Sequence, residues 1–316
     1  MSKAIKIIWP INPSDAEPQS DARILNLLNR LKGKVDFEIQ PVSVVSAAYF
    51  TTAHYFEPID TQILVENIKR DCVAYLEKFP DIKLNSPLIL ENQFSSQSAE
   101  VHLFTEFVSS YGADLVLMSS NGRKGWARQF LGSFTENFIL KSEVPVLVLG
   151  PECEDRQQLS SALLPLELSE SSEKFVDVFL SKTPSHNFIE KLTLFHKISM
   201  VDLEDITWAP TLYGLGGEQT DDVLQRAKQS TTTFLSRVSE KANLVSNLEV
   251  DYCISDSLDP VAQVILEKSR DKKIDLIVMR SDAGPVAARV LGSVVRSVIR
   301  ESVVPVIVYP HKYHLR

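Results

Sequence analysis

The amino-acid sequence predicts an α/β protein made of two tandem, doubly wound parallel-sheet domains, and three observations carry that expectation. The run Ala113-Asp114-Leu115-Val116-Leu117-Met118-Ser119-Ser120 is echoed by Ile274-Asp275-Leu276-Ile277-Val278-Met279-Arg280-Ser281. Leu131-Gly132-Ser133 returns as Leu291-Gly292-Ser293, and Val144-Pro145-Val146-Leu147-Val148 returns as Val304-Pro305-Val306-Ile307-Val308. The spacing is 161 residues from Asp114 to Asp275 but 160 from Gly132 to Gly292 and from Pro145 to Pro305. The second copy therefore lacks one residue between its strand and its Leu-Gly-Ser. A chain of 316 residues has room for two domains of ordinary size, each with its own core. The expected boundaries are 1–151 for the first domain, 152–159 for a polar, aperiodic linker and 160–316 for the second.

Strands alternate with helical patterns in both copies, the order of βαβ units with right-handed crossovers. In copy one, Ile5 to Ile11 reads as a strand, Ala22 to Leu31 as a helix and Asp36 to Val45 as a strand. Over residues 60–79, Ile63, Leu64, Ile68, Val73 and Leu76 recur at helical spacing. Pro87 to Leu90 follows as a strand, and Ser98 to Tyr111 as a helix ended by Gly112, a left-handed cap. Asp114 to Met118 is a continuous apolar run of the kind buried on both faces of a parallel sheet. Gly132 to Lys141 and Val144 to Leu149 complete the copy as helix and strand. Copy two offers strands at Ala162–Leu166, Leu192–Ile198 and Leu248–Ile254, and a long helix at Asp221–Ala242. Pro260–Ser269, Asp275–Met279, Ser293–Glu301 and Val304–Tyr309 then repeat the helix, strand, helix and strand of copy one. Ser46–Asp60 and Val201–Thr220 are longer loops after the second strands, a length often associated with function.

Composition narrows the function classes. Lys and Arg total 33 against 41 Asp and Glu, a net charge of -8. That balance predicts neither a nucleic-acid partner nor an anionic membrane surface. No apolar run reaches the ~20 residues of a membrane span, and the strand-like Ile5–Trp9 follows Met1 without a signal peptide's separate regions. Cys72, Cys153 and Cys253 are odd in number and outside any CxxC pattern, which suits a reducing cytoplasm and neither a disulfide framework nor a zinc site. The six histidines, His54, His102, His186, His196, His311 and His314, show no metal spacing.

One segment carries chemistry. The loop from Ser119 to Phe130 leaves the carboxyl end of a parallel strand, where α/β sheets bind ligands. It returns to a helix that opens with Gly132-Ser133. The free N–H groups and dipole of a helix start favour a phosphate. Gly132 lets the backbone approach the anion, and the Ser133 hydroxyl adds a donor. Arg123, Lys124 and Arg128 supply positive charge, although clustered charges are as often a solvated face.

This stretch resembles the universal stress protein family, whose nucleotide-binding members carry G-x2-G-x9-G-[ST] here. Ser119 stands for the first glycine, Gly122 follows at the right spacing, and Gly132-Ser133 closes the motif. The flanking Gly-Ala-Asp-Leu-Val-Leu-Met and Val-Pro-Val-Leu-Val are similar to the family's as well. The resemblance implies the family's adenine nucleotide alpha hydrolase-like fold and an adenine-nucleotide site, with ATP as ligand and Mg²⁺ accompanying it. The positions it assigns are Asn12, Val42, Met118, Ser119, Gly122, Arg123, Gly132, Ser133, Phe134 and Thr135. Asn12 replaces the aspartate that the family usually has after its first strand, keeping an acceptor oxygen while losing the charge. Val42 falls where the backbone after strand two meets adenine.

Copy two departs further. Its loop is one residue shorter, lacks the first two glycines, and carries Asp282 and Pro285. A carboxylate repels phosphate and a proline removes an N–H donor. Glu167 and Lys197 stand at its counterparts of Asn12 and Val42. The expected function is therefore regulatory nucleotide binding in copy one during a stress response, with copy two a structural partner. The alternative is a scaffold on the same fold that binds no nucleotide. A slow ATPase ranks third, because no general base can be named. Gly214 to Gly217 reads as a hinge or helix entry, since Glu218, Asp221 and Asp222 bring the wrong charge for phosphate. Trp9, Trp126, Trp208 and Cys72 read as packing residues.

Assembly is also expected from the sequence. The final strand of each copy is apolar and carries a proline near its start, as edge strands do. Apolar edges invite pairing, and family dimers join final strands about a two-fold axis. The tandem chain is expected to make that pairing internally, Val146 and Val148 against Val306, Ile307 and Val308. Homodimerisation and a signalling partner protein remain further expectations.

Overall fold

Strands and helices alternate in the order that the repeat predicts. The structure is a computed structural model, and it describes residues 4–13, 18–46, 61–92, 96–119, 133–154, 159–182, 189–199, 220–281, 291–310 and 313. The first copy runs β1 (Ile5–Pro10), α1 (Pro18–Leu31), β2 (Phe37–Val45), α2 (Thr61–Leu76), β3 (Leu88–Glu91), α3 (Gln97–Tyr111), β4 (Leu115–Ser119), α4 (Ser133–Lys141) and β5 (Val146–Leu149). The second runs β6 (Ser161–Pro165), α5 (Glu170–Lys182), β7 (Lys191–Lys197), α6 (Thr220–Val245), β8 (Glu249–Ser255), α7 (Val261–Asp271), β9 (Leu276–Arg280), α8 (Ser293–Glu301) and β10 (Val306–Tyr309). Among the described residues, no helix is long and apolar enough to cross a membrane.

The chain divides into two compact units, Met1–Gln158 with Met279–Arg316, and Leu159–Val278. Units and sequence copies thus partition the chain differently. The reason is that β5 pairs antiparallel with β10, in the register Val306–Val148, Ile307–Leu147 and Val308–Val146. Internal pairing of the two final strands is what the sequence predicts. It makes the sheet mixed, not purely parallel. The strand order in the first unit is β3-β2-β1-β4-β5-β10, and in the second β9-β6-β7-β8. All pairs within the first five strands are parallel, as are those of β6 to β9.

The repeated aspartates explain how the central strands of each copy are held. Asp114 precedes β4, where its carboxylate accepts from the Lys6 N–H at 2.9 Å while its own N–H donates to the Lys6 carbonyl at 2.9 Å. Asp275 precedes β9 and does more. Its Oδ2 accepts from the N–H and hydroxyl of both Ser160 and Ser161, at 2.9–3.1 Å. A nearly buried carboxylate is stable only when donors replace its water shell. These aspartates therefore fasten β4 to β1 and β9 to β6, and so set where the opposite, carboxyl ends of those strands lie.

Helix faces follow from periodicity, with one correction. Ile24, Leu27, Leu28 and Leu31 bury one stripe of α1. On α2 the buried residues are Leu64, Cys72 and Tyr75, whereas Ile63 is 51% and Val73 44% exposed. Of the five apolar positions read as one face, Ile63 and Val73 lie off it, because the core stripe advances by four, four and three residues through the half-buried Ile68. Trp9 and Cys72 pack in the interior as expected, Trp9 with its ring 5.0 Å from that of Phe79. Helix α3 is capped at both ends: the Ser96 hydroxyl accepts from the Ala99 N–H, and Gly112 sits at φ 68°, ψ 46°. Helix α5 is an element that the sequence analysis does not name, although Phe175, Val176, Phe179 and Leu180 form its buried stripe.

The outer strand of the second unit is shielded. The Asn243 side chain accepts from the Val250 N–H at 2.9 Å and donates to its carbonyl at 2.8 Å, imitating a neighbouring strand. Ser239 donates to the same carbonyl. Occupied backbone groups cannot template another chain.

Two pairs of substitutions test this packing. Gly112 has open space but a left-handed backbone, so Gly112→Ala should cost about 1 kcal/mol. Gly150 has no such angle, but a Cβ there would run into the Ile299 carbonyl of α8. Gly150→Ala should cost about 1–3 kcal/mol in urea unfolding, and a silent variant would contradict the seat of α8 on β5. Asp275→Ala should cost about 2–3 kcal/mol by stranding the donors of Ser160 and Ser161. Asp114→Ala, which removes the acceptor of the Lys6 N–H, should cost less; the reverse order would contradict the assigned roles.

Candidate functional site

Chain order reverses at the carboxyl ends of β1 and β4. From β1 the chain proceeds to β2 and β3 on one side, then returns to place β4 on the other side of β1. Such a reversal leaves the connections after the two central strands on opposite faces of the sheet, and ligands of α/β sheets lodge between them. β1 is pinned there by pairs at Ile7–Leu115 and Ile8–Val116.

The described site residues lie at three places around this point. Asn12 follows β1 and is exposed. Met118 and Ser119 close β4, paired with Val148 and Leu149 of β5; Met118 is buried and Ser119 half-buried. Phe134 and Thr135 belong to the first turn of α4, where Thr135 is buried. That turn is oriented by aromatic packing: the Phe104 ring of α3 is 5.7 Å from Phe134 and 4.9 Å from Phe138. Ser133 begins the helix. Gly122, Arg123 and Gly132 lie outside the described residues, as do Lys124, Trp126, Arg128, Trp208 and the Gly214–Gly217 run.

Val42 stands differently from the others. It lies inside β2, paired with Pro10 on one side and Leu88 on the other, with its side chain fully buried. Its carbonyl accepts from the Ile11 N–H at 2.8 Å. Next to it, Ser43 faces Cys72, whose thiol is pushed up mainly by burial, with the Ser43 hydrogen bond acting the other way. A thiol so placed is a core group and a poor nucleophile.

Register settles the counterpart of Val42 in the second copy. Pro165 pairs with Phe195 as Pro10 pairs with Val42, and the Leu166 N–H donates to the Phe195 carbonyl at 2.8 Å. Phe195, not Lys197, is the equivalent position; the two-residue error arose because loop lengths before the strands differ. His196 then occupies the place of Ser43, buried, with Nδ1 2.7 Å from the Leu166 carbonyl. Glu167 is exposed after β6, as Asn12 is after β1.

Sequence reasoning passed over the charge pair beside the site. Glu136, in the first turn of α4, lies 3.3 Å from Arg296 of α8. The repeat offset was the available signal, because these two positions are 160 residues apart. Among the described residues, no group of His, Cys, Asp and Glu could hold a metal ion.

The family model described as the universal stress protein family matches residues 97–150 and 216–310. No curated protein sequence matches the chain. A universal stress protein from Archaeoglobus fulgidus DSM 4304 is 20% identical, aligned over 96% of this chain and 96% of its own, with a TM-score of 0.59. A functionally unknown protein from Pseudomonas aeruginosa PAO1 is 10% identical over 99% of this chain and 95% of its own, with a TM-score of 0.58. At such identities the likeness is one of fold, and it extends over nearly the whole length. The matched segments contain β4, α4 and β5 in the first copy and β8 to β10 in the second, so that the chain belongs to the universal stress protein family, with two family segments in tandem.

Proposed function

We propose that this protein serves a stress response by binding an adenine nucleotide, ATP, in its first copy. What supports the reading is where the Gly122-x9-Gly132-Ser133 run falls in the sequence relative to β4 and α4. It joins the carboxyl end of β4 to the start of α4, at the reversal of chain order between β1 and β4. The Gly132 and Ser133 N–H groups would meet the phosphates with the helix dipole behind them, and Arg123 would add charge. Asn12 would offer an amide to the sugar or phosphate side. Met118, Ser119, Phe134 and Thr135 would frame the crevice, and Val42 would border the base. ATP would bring Mg²⁺ on its own phosphate oxygens; Asn12, Ser119 and Thr135 offer an amide and hydroxyls, and the Glu136 carboxylate is engaged by Arg296, a set that suits a hydrated magnesium ion better than a protein-caged one.

The second copy would act as a structural partner. Asp282 and Pro285 stand in its loop where the first copy has neutral or basic residues. A second reading, a scaffold that binds no nucleotide, draws on Asn12 and Ser119 in place of an acid and a glycine.

Calorimetry with ATP and Mg²⁺ distinguishes them. The proposal expects about one site per chain. Gly132→Val should lose binding while remaining folded, because a branched Cβ blocks backbone approach to the phosphate. Gly292→Val should leave the stoichiometry unchanged. No heat and no released nucleotide on denaturation would favour the scaffold, and two equivalent sites would contradict the role given to copy two.

A further inference from the structure

Along the β5–β10 pairing, the central residue faces its own counterpart from the other copy, and its neighbours exchange places. Leu147 pairs with Ile307, Val146 with Val308, and Val148 with Val306. Leu147 and Ile307 are equivalent residues, 160 apart, so a local two-fold relation passes through that pair. Glu136 and Arg296 obey the same relation, with Arg296 Nε 3.3 Å from Glu136 Oε1. The strand pairs are apolar on both sides and cannot discriminate between partners. The charged pair can. If two chains joined through copy one alone, Glu136 would face Glu136; through copy two alone, Arg296 would face Arg296. Opposed like charges discriminate against a wrong partner.

Arg296 also stands where its own helix does not favour it. It is in the first turn of α8, where the dipole favours anions. Its guanidinium donates to the Leu291 carbonyl from Nη2 at 2.8 Å and from Nε at 3.2 Å, and faces the Glu136 carboxylate. Glu136, by contrast, sits in the first turn of α4, where a carboxylate is favoured. The guanidinium is therefore held between the Leu291 carbonyl before its own helix and the Glu136 carboxylate opposite, and only the latter is a counter-charge.

We propose that Glu136 and Arg296 form a pairing-specificity contact, directing the final strand of copy one onto that of copy two and excluding association of like copies from separate chains. The partner that the copy-one edge accepts is an apolar strand accompanied by a cation opposite Glu136. This chain supplies that partner itself, and the tether raises its effective concentration.

The test uses the full chain. Glu136→Arg and Arg296→Glu should each raise the unfolding equilibrium constant about two- to fivefold, and the double reversal should recover most of the loss. A purely structural role for either side chain would give no such rescue. Glu136→Gln removes the like-charge barrier at copy one, so sedimentation at high protein concentration should show a larger dimer fraction than the unaltered chain. A double reversal as unstable as the two singles combined would overturn the proposal. So would a Glu136→Gln chain whose mass distribution matches that of the unaltered protein.

Discussion

The antiparallel ladder between β5 and β10 is the interaction on which the first unit depends. Val146, Leu147, Val148 and Leu149, with Val306, Ile307, Val308 and Tyr309, are all at most 1% exposed. Strands this apolar are buried on both faces, so leaving either with an open edge would present unpaired backbone beside apolar surface. Pairing them removes both hazards together. Pro145 fits because β5 needs no N–H there, while the Pro145 carbonyl still accepts from Val116 at 3.0 Å. Around the ladder the backbone closes tightly: the Glu154 N–H donates to the Val303 carbonyl, and Arg23 to the Gly150 carbonyl. Gly150 is the position where close approach of helix and strand leaves no room for a side chain.

That ladder also fixes the position of the candidate site. β4 lies between β1 and β5, so a fixed β5 fixes β4, and with it Met118 and Ser119. On the other side, the Asp114 carboxylate ties β4 to β1 from the amino end. The start of α4 is then set by Phe104 from α3 and by Glu136 facing Arg296. A phosphate site made from backbone N–H groups needs this kind of rigidity, since its donors are only as well aimed as the helix that carries them. The family fold alone does not assign the ligand.

Much of this was legible in the sequence because it depends on local pattern. The apolar runs of β4 and β9, the left-handed Gly112 and the pairing of Val146 to Val148 with Val306 to Val308 all follow from residues a few positions apart, or from the repeat. The misreadings have a different origin. Ile63 and Val73 look like core residues of α2, but which side of a broad apolar stripe faces the sheet is decided by the partner, here Trp9 with Tyr75 and Phe79. Helix α5 was passed over because its polar residues outnumber its stripe. Phe195 was missed as the counterpart of Val42 because register is fixed by hydrogen bonds between strands, such as Leu166 to Phe195, and not by counting from the last motif. Of the nucleotide motif, Met118, Ser119 and the start of α4 fall among the described residues, whereas Gly122, Arg123 and Gly132 do not.

Hydrogen exchange of the β5 and β10 amides tests the central claim most directly. If their ladder holds the first unit together, the amides of Val146 and Val148 in β5 and of Val306 and Val308 in β10 should be protected to the same free energy, that of global unfolding, and should exchange together. Exchange from β10 at a clearly lower free energy than from β5 would show that the last strand can leave without disturbing the rest, and would contradict the dependence of the unit on that pairing.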